Sequence, residues 1–445
     1  IHRILTIRHK HQRRLPRQHI TDTGQTVRNT FEIYSLINDR QHTRECTEAV
    51  DTHLWQQISR IFGRRHDGVQ DWRYICHPPM RGGKYAHEHG VKVYITANII
   101  AHNYDLEGAA EYFRELAEIK PDAILVADPG MFMLAKENCP NIDLHISTQA
   151  NNTNYQTANF WYQQGATRVV TARELSLREI KEIRDNIPED MDIETFIHGA
   201  MCISYSGRCL LSNFFTGRDA NKGACTHPCR WKYSVMEEKR PGEYFPVYEN
   251  ERGTYIFNSK DLCMIEHIPD LIEAGIDSYK IEGRMKTALY VATVARTYRK
   301  AINDYLESPE KYQENMPWYL DQISNCTYRQ FTTGFFYNKP TNETQIYDNN
   351  TYEKGYTYLG YVGPKNEEGM YRVEQRNKFS VGEEIEVMKP NGDNIVVTVK
   401  RMVDEKGQEM ESCPHPQQVF YLDLGIELEE YDILRRQEEE KIALE

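Results

Sequence analysis

A chain of 445 residues with 54 Lys and Arg, 66 Asp and Glu and a formal net charge of −12 is long enough for one large domain and a smaller one, each with a buried core. It contains no apolar run near the roughly 18 residues that a membrane span requires and no recognisable signal peptide, so a soluble, cytoplasmic protein with no membrane partner is expected. In a reducing compartment, ten cysteines read as ligands or nucleophiles before disulfides.

The average charge hides a break near residue 84. Residues 1–84 carry 15 Lys and Arg against 8 Asp and Glu and hold 8 of the 16 histidines, whereas the rest carries 39 against 58. Arg outnumbers Lys 13 to 2 before the break and stands at 19 to 20 after it. The chain starts at Ile1, and HRILTIRHKHQRRLPRQH shows neither sustained helical periodicity nor strand alternation. Residues 1–83 are therefore read either as a basic arm for nucleic acid or as a stretch translated out of frame, and the composition break favours the second.

From Lys84 onward, apolar runs rich in β-formers alternate with amphipathic helical stretches. The predicted strands are Val91 to Ile100, Ala123 to Asp128, Asp143 to Thr148, Thr167 to Arg173, Ile193 to His198, Tyr255 to Asn258 and Ser278 to Glu282. DLEGAAEYFRELAEI puts Leu106, Ala109, Ala110, Phe113, Leu116 and Ala117 on one helical face, and Ser176 with Glu179 forms a capping box for LSLREIKEIRDNI. This order predicts parallel strands joined by crossover helices, as a barrel or a doubly wound sheet. In six runs polar residues stand at the C-terminal end: Asn98 and His102, Asp128, Thr148 and Gln149, Arg173 and Glu174, His198 and Cys202, Glu282 and Arg284. A (β/α) barrel keeps its active site at that end.

A long helix with Ala288, Val291, Ala295, Tyr298, Ile302 and Tyr305 at helical spacing follows, then a proline-containing connector, then short strands including Glu384 to Met388 and Ile395 to Val399 around an Asn391-Gly392 turn. The expected organisation is an atypical basic segment at 1–83, a barrel bearing the cysteines at 84–305, a connector at 306–345 and a small β domain at 346–445.

Five cysteines, Cys202, Cys209, Cys225, Cys229 and Cys263, fall within 62 residues with spacing C-x6-C-x15-C-x3-C-x33-C. Only Cys225 and Cys229 approach the close pairing of zinc sites, and uneven gaps suit an iron–sulfur cluster ligated from several loops. Cluster, zinc and buried thiols all stay open on spacing alone. Cys46, Cys76, Cys139, Cys326 and Cys413 have no motif context.

ETFIHGAMCISYSGRCLLS resembles the signature of the collagenase-like peptidase family, peptidase family U32. TGRDANKGACTHPCRWKY, NSKDLC, YKIEGRMK and FTTGFF resemble further blocks of that family, and CPHPQQ with YDILRR is similar to its C-terminal domain. The resemblance implies an α/β fold, a (β/α) TIM-like barrel with a small C-terminal β domain. Its opening strands, of the ELLAPAG and AVYIGG type, are absent from residues 1–84, so the barrel is expected to lack its first two strands. The members with this β domain imply prephenate-dependent 5-hydroxylation of the wobble uridine of tRNA. They also imply a four-iron four-sulfur cluster on Cys202, Cys209, Cys225 and Cys263, with Cys229 as the alternate.

Prephenate as co-substrate is dianionic and asks for bidentate guanidinium donors, for which Arg173 and Arg284 are the candidates, with Gln149 beside them. His198, Glu174 and Arg284 are the catalytic candidates; His198 could serve an oxyanion or a proton transfer, or be a buried structural histidine. Either Arg could instead pair with Glu174 or Glu282. For tRNA, Arg208, Arg218, Lys222, Arg230 and Lys232 form a local basic surface, with Trp231 and Tyr233 placed to stack on a base. A collagenase-like peptidase and a non-enzymatic iron–sulfur RNA-binding or assembly factor are the alternatives. Neither a G-x-S-x-G elbow nor an H-E-x-x-H zinc motif is present for the first.

Overall fold

The computed structural model describes residues 4–8, 30–36, 87, 91–231, 234–236, 244–246, 259–283, 286–339, 352–389 and 393–444. The chain divides into two compact units, Ile1–Lys286 with Gln330–Asn350, and Thr287–Arg329 with Thr351–Glu445.

In the first unit the described strands are β1 (Ile4–Arg8), β2 (Thr30–Leu36), β3 (Lys92–Ala97), β4 (Ala123–Val126), β5 (Asp143–Ile146), β6 (Arg168–Val170) and β7 (Asp192–Gly199). A hairpin of β8 (Ser234–Met236) and β9 (Tyr244–Pro246) follows, then β10 (Asp261–Cys263), β11 (Ser278–Glu282) and β12 (Phe331–Thr332). Crossover helices α1 (Ala109–Ile119), α2 (Pro129–Asn138), α3 (Tyr155–Gln164) and α4 (Leu177–Asp185) separate β3 through β7. The short α5 (Leu211–Thr216) follows β7, and α6 (Ile268–Glu273) precedes β11.

Strands β1 to β7 pair in sequence order, and β11 pairs with both β7 and β1, so the ring closes. Every pairing from β2 through β7 to β11 is parallel. The expected two-strand gap is therefore corrected. Strands β1 and β2 come from the atypical segment itself, where ILTIR and TFEIYSL supply β-branched and aromatic residues that suit strand backbone. β1 departs from an all-parallel barrel by running antiparallel to both neighbours. The other residues of 1–83, and the predicted strand at 255–258, lie outside the described residues.

Local chemistry explains the elements. β4, AILV, is buried along its whole length, as a strand covered by helices must be. Asp128 caps α2, its carboxylate accepting from Met131 N at 3.0 Å with Pro129 in the first turn. The capping box of α4 is formed: Ser176 N donates to Glu179 Oε2 at 2.8 Å and Glu179 N to Ser176 Oγ at 3.3 Å.

The barrel interior contains a charged cluster. Glu194 on β7 is fully buried and accepts from Lys280 Nζ at 2.6 Å, Arg168 Nη1 at 2.9 Å and Ser278 Oγ at 2.9 Å. Arg168, 1 % exposed, also reaches Asp192 at 3.1 Å, and its guanidinium carbon lies 5.2 Å from the Tyr94 ring centroid. Ser278, Arg168 and Asp192 are the first residues of their strands, so the cluster fills the N-terminal half of the barrel.

The second unit opens with α7 (Ala288–Glu307), α8 (Pro309–Glu314) and α9 (Met316–Ser324). Two helices thus occupy the expected connector, and α7 groups with the C-terminal unit instead of the barrel. Asp304 holds the helices together, accepting from Tyr319 Oη at 2.6 Å and Asn315 Nδ2 at 2.9 Å. The strands are β13 (Tyr352–Lys365), β14 (Tyr371–Gln375), β15 (Glu384–Met388), β16 (Ile395–Thr398), β17 (Arg401–Asp404), β18 (Val419–Asp423) and β19 (Ile433–Leu444). They form an antiparallel sheet in the order β16-β15-β19-β13-β14-β18-β17 over a core including Leu359, Val373, Phe379, Phe420 and Leu434. The Asn391-Gly392 turn lies outside the described residues.

Candidate active site at the barrel mouth

The C-terminal ends of the parallel strands bring together most of the polar residues singled out in the sequence. Buried Asn98, after β3, donates to Ser147 Oγ at 2.8 Å after β5, and Thr148 Oγ1 donates to Thr171 O at 3.0 Å after β6. β7 ends at Gly199, whose φ of +111° and approach to β11 exclude a side chain: an added Cβ would lie 2.4 Å from Glu282 O. From this pinch the chain leaves for the cysteines.

Cys202 is exposed, Cys209, Cys225, Cys229 and Cys263 are half-buried, and none of them forms a disulfide. Burial pushes the Cys209 thiol up, the neighbouring Cys202 and Cys225 add to this, and a backbone hydrogen bond involving Leu211 opposes it. Those three thiols are thus electrostatic neighbours. Cys263 ends β10 in register with His198 on β7, which carries it to the same end of the barrel.

The cysteine loop is tied across the mouth by Asn221. Its side chain accepts from Ile100 N at 2.8 Å and donates to Ile100 O at 3.0 Å, pairing with that backbone as a strand neighbour would. Gln149 Nε2 contacts Asn221 O and Oδ1, both at 3.3 Å, so the amide expected beside the co-substrate supports the loop. Next to it, Lys222 Nζ meets the buried Asp105 at 2.9 Å and lies 4.7 Å from the Tyr104 ring centroid. Asp105, Gly199 and Asn221 were not singled out in the sequence, because their roles depend on partners distant along the chain: Lys222, Glu282 and Ile100.

Arg173 lies over the Phe196 ring at 3.9 Å, donates through Nη1 to Ala200 O at 2.8 Å and stands 4.0 Å from Glu282. Its Nε is buried without a hydrogen-bond partner. Burial pushes the Glu174 carboxyl up, opposed by backbone hydrogen bonds and by Arg173. His198, 1 % exposed, is pushed down to about 3 by burial, with Lys286 adding and Asp261 opposing. Its imidazole is therefore neutral near pH 7, which suits hydrogen bonding and removes it as a protonated acid. Arg284, Lys232 and Tyr233 and the side chain of Arg230 lie outside the described residues.

Among the described residues no group of three or more His, Cys, Asp or Glu side chains closes around a single ion. A zinc site draws its thiolates to within about 2.3 Å of one metal. A four-iron cluster engages its cysteines at separate irons and asks for a wider set of soft donors, of which Cys202, Cys209 and Cys225 are electrostatic neighbours on this loop.

A closed barrel with a thiol-bearing loop over the C-terminal ends of its strands defines the class, and comparison with known proteins supplies the family. Residues 80–346 match the model of peptidase family U32 and residues 354–435 that of the peptidase family U32 C-terminal domain. The chain belongs to peptidase family U32. It is 38 % identical over 356 residues to tRNA hydroxylation protein P1 of Bacillus subtilis, covering 80 % of this chain and 83 % of that protein. It is also 38 % identical over 397 residues to tRNA hydroxylation protein P of Escherichia coli, covering 79 % and 85 %. The 23S rRNA 5-hydroxycytidine C2501 synthase of Escherichia coli is 35 % identical over 246 residues, 55 % of this chain and 35 % of that protein.

Proposed function

We propose that this protein hydroxylates RNA, and specifically that it converts the wobble uridine of tRNA to 5-hydroxyuridine with prephenate as co-substrate and a four-iron four-sulfur cluster. The observation that carries the reading is the similarity to two tRNA hydroxylation proteins along about four fifths of the chain, cysteine loop included. In this reading Cys202, Cys209, Cys225 and Cys263 hold the cluster, with Cys229 as the alternate. The cluster would supply electron transfer or a site for substrate oxygen.

The protein's own residues have separable tasks. Arg173 has an unpaired Nε–H for a carboxylate, and its stack on Phe196 fixes the guanidinium plane. Arg284 is assigned the second carboxylate from the sequence alone. Glu174, raised by burial, is suited to accept or return a proton, and neutral His198 to orient an oxygen. Asn221 and Gln149 hold the loop over the strand ends.

The test is expression of this chain in a bacterial strain lacking its own tRNA uridine hydroxylases, followed by mass spectrometry of tRNA nucleosides. Restored 5-hydroxyuridine derivatives are expected, with loss in C202A together with loss of iron from anaerobically purified protein. Full iron content in C202A would remove that residue from the ligand set. Gelatin cleavage that survives loss of the cysteines, with no change in tRNA nucleosides, would instead establish a peptidase.

A further inference from the structure

Beside the cysteines the protein exposes aromatic rings at its surface. Phe214 on α5 is 82 % exposed, Phe215 48 % and Trp231 42 %, with Leu210 at the start of the same turn 74 % exposed. The rings are contiguous: Phe214 and Phe215 centroids are 5.3 Å apart and those of Phe215 and Trp231 6.0 Å apart. Single exposed apolar residues are ordinary on a protein surface, but a row of aromatic rings is not.

The row is anchored to the cysteine loop. Ser212, fully buried on α5, accepts from Thr226 N at 3.0 Å and lies 3.1 Å from Thr226 Oγ1, while Thr216 Oγ1 is 3.3 Å from the same hydroxyl. Thr226 directly follows Cys225, and Trp231 comes two residues after Cys229. A ligand lying on the rings would therefore sit next to the thiols.

Charge decides which ligand. From Gly199 to Tyr233 the chain carries Arg208, Arg218, Lys222, Arg230 and Lys232 against Asp219 alone, in a protein whose formal net charge is −12. Lys222 is held by Asp105, and the remaining excess of positive charge in this segment's sequence, beside exposed rings in an acidic protein, favours a polyanion with flat, unpaired rings.

We propose that Phe214, Phe215 and Trp231 form a stacking platform for unpaired nucleotides of a single-stranded RNA loop, placing the strand beside the cysteine loop. The proposal rests on the RNA-hydroxylating reading and adds how the substrate is gripped. Stacking accepts any base, so the platform recognises the unpaired state, and sequence choice must come from other contacts.

The test uses the full chain purified anaerobically, a labelled RNA hairpin with a seven-nucleotide loop, and a fully paired duplex of equal charge. F214A/F215A is expected to weaken hairpin binding by roughly 5- to 100-fold, the range for loss of one stacked base, and to leave the weaker duplex binding unchanged. F214Y/F215Y should restore hairpin binding, since tyrosine keeps the ring face. Wild-type hairpin affinity in F214A/F215A overturns the platform even while tRNA hydroxylation persists. Equal losses for hairpin and duplex also overturn it, because they reflect charge or folding. A dimer in sedimentation that F214A/F215A converts to monomer, with hairpin affinity unaltered, assigns the rings to a second copy. Conversely, tight hairpin binding that depends on the rings, without any hydroxylated nucleoside, sustains the platform and removes the hydroxylase reading.

Discussion

The two ends of the barrel handle charge in opposite ways. In the N-terminal half, Glu194 has three donors, and Arg168 and Lys280 are buried with it, so these charges are answered chiefly by one another. At the C-terminal mouth the cysteines are exposed or half-buried, Arg173 keeps an unpaired Nε, and the covering loop is held by side chains gripping backbone. Polar residues of this barrel thus differ in their surroundings: some are buried among ion-pair partners, and others stand at a mouth that is partly open. The first should report on stability when altered and the second on binding.

The largest test of this division is E194A, which leaves Lys280 and Arg168 short of their shared partner in a dry interior. A loss of about 3–5 kcal/mol in denaturant unfolding of the barrel is expected. A loss under 1 kcal/mol would mean that water reaches the cluster and that the two ends are alike. Next comes G199A, where the positive φ and the close Glu282 carbonyl act together. It should cost on the order of 3 kcal/mol and also lower iron retention, because the pinch launches the cysteine loop.

N221A should separate the ends cleanly. It removes both bonds to the Ile100 backbone, worth about 1–3 kcal/mol locally, and is expected to reduce iron retention while the main unfolding midpoint moves little. An unchanged iron content would show that the loop holds its place without the clamp.

The smallest effect is K222A, about 1 kcal/mol from the Asp105 pair. Burial works against the Lys222 ammonium, but hydrogen bonds to Asp105 and Tyr104 outweigh it and hold its pKa above the ordinary lysine value. A raised folded pKa stabilises fully below the unfolded value and loses that contribution as pH climbs through the folded one. The wild-type advantage over K222A should accordingly be constant near neutrality and fall away in alkali, as read by denaturation against pH.

Much of the barrel was legible because backbone periodicity and burial leave strong local traces. The strand predicted at Ser278 to Glu282 is observed with those bounds, and Ser176 with Glu179 caps its helix as expected. Leu106 was placed on the buried face of α1 and is 38 % exposed, because the helix starts only at Ala109 and Leu106 is outside its phase; Tyr112 is buried on that face. The strand-end polar residues gathered at one mouth, yet their tasks were not readable individually. Asp128 caps a helix and Gln149 braces a loop, and both depend on neighbours distant in sequence or on where a helix begins. Glu194 and Lys280 were passed over because an isolated charge in a strand gives no sign that its partner lies 86 positions away.

The return of Gln330–Asn350 to the first unit has a consequence for the order in which the protein is made. Neither unit is a continuous stretch of chain: the barrel sheet acquires β12 only after the three helices of the second unit have been synthesised. On the ribosome, with about 5–20 residues added each second, β10 would wait several seconds for its partner β12 while the helices of the second unit have already been made. A stop codon anywhere between residues 287 and 329 would leave the first unit without its returning segment and the second without its sheet.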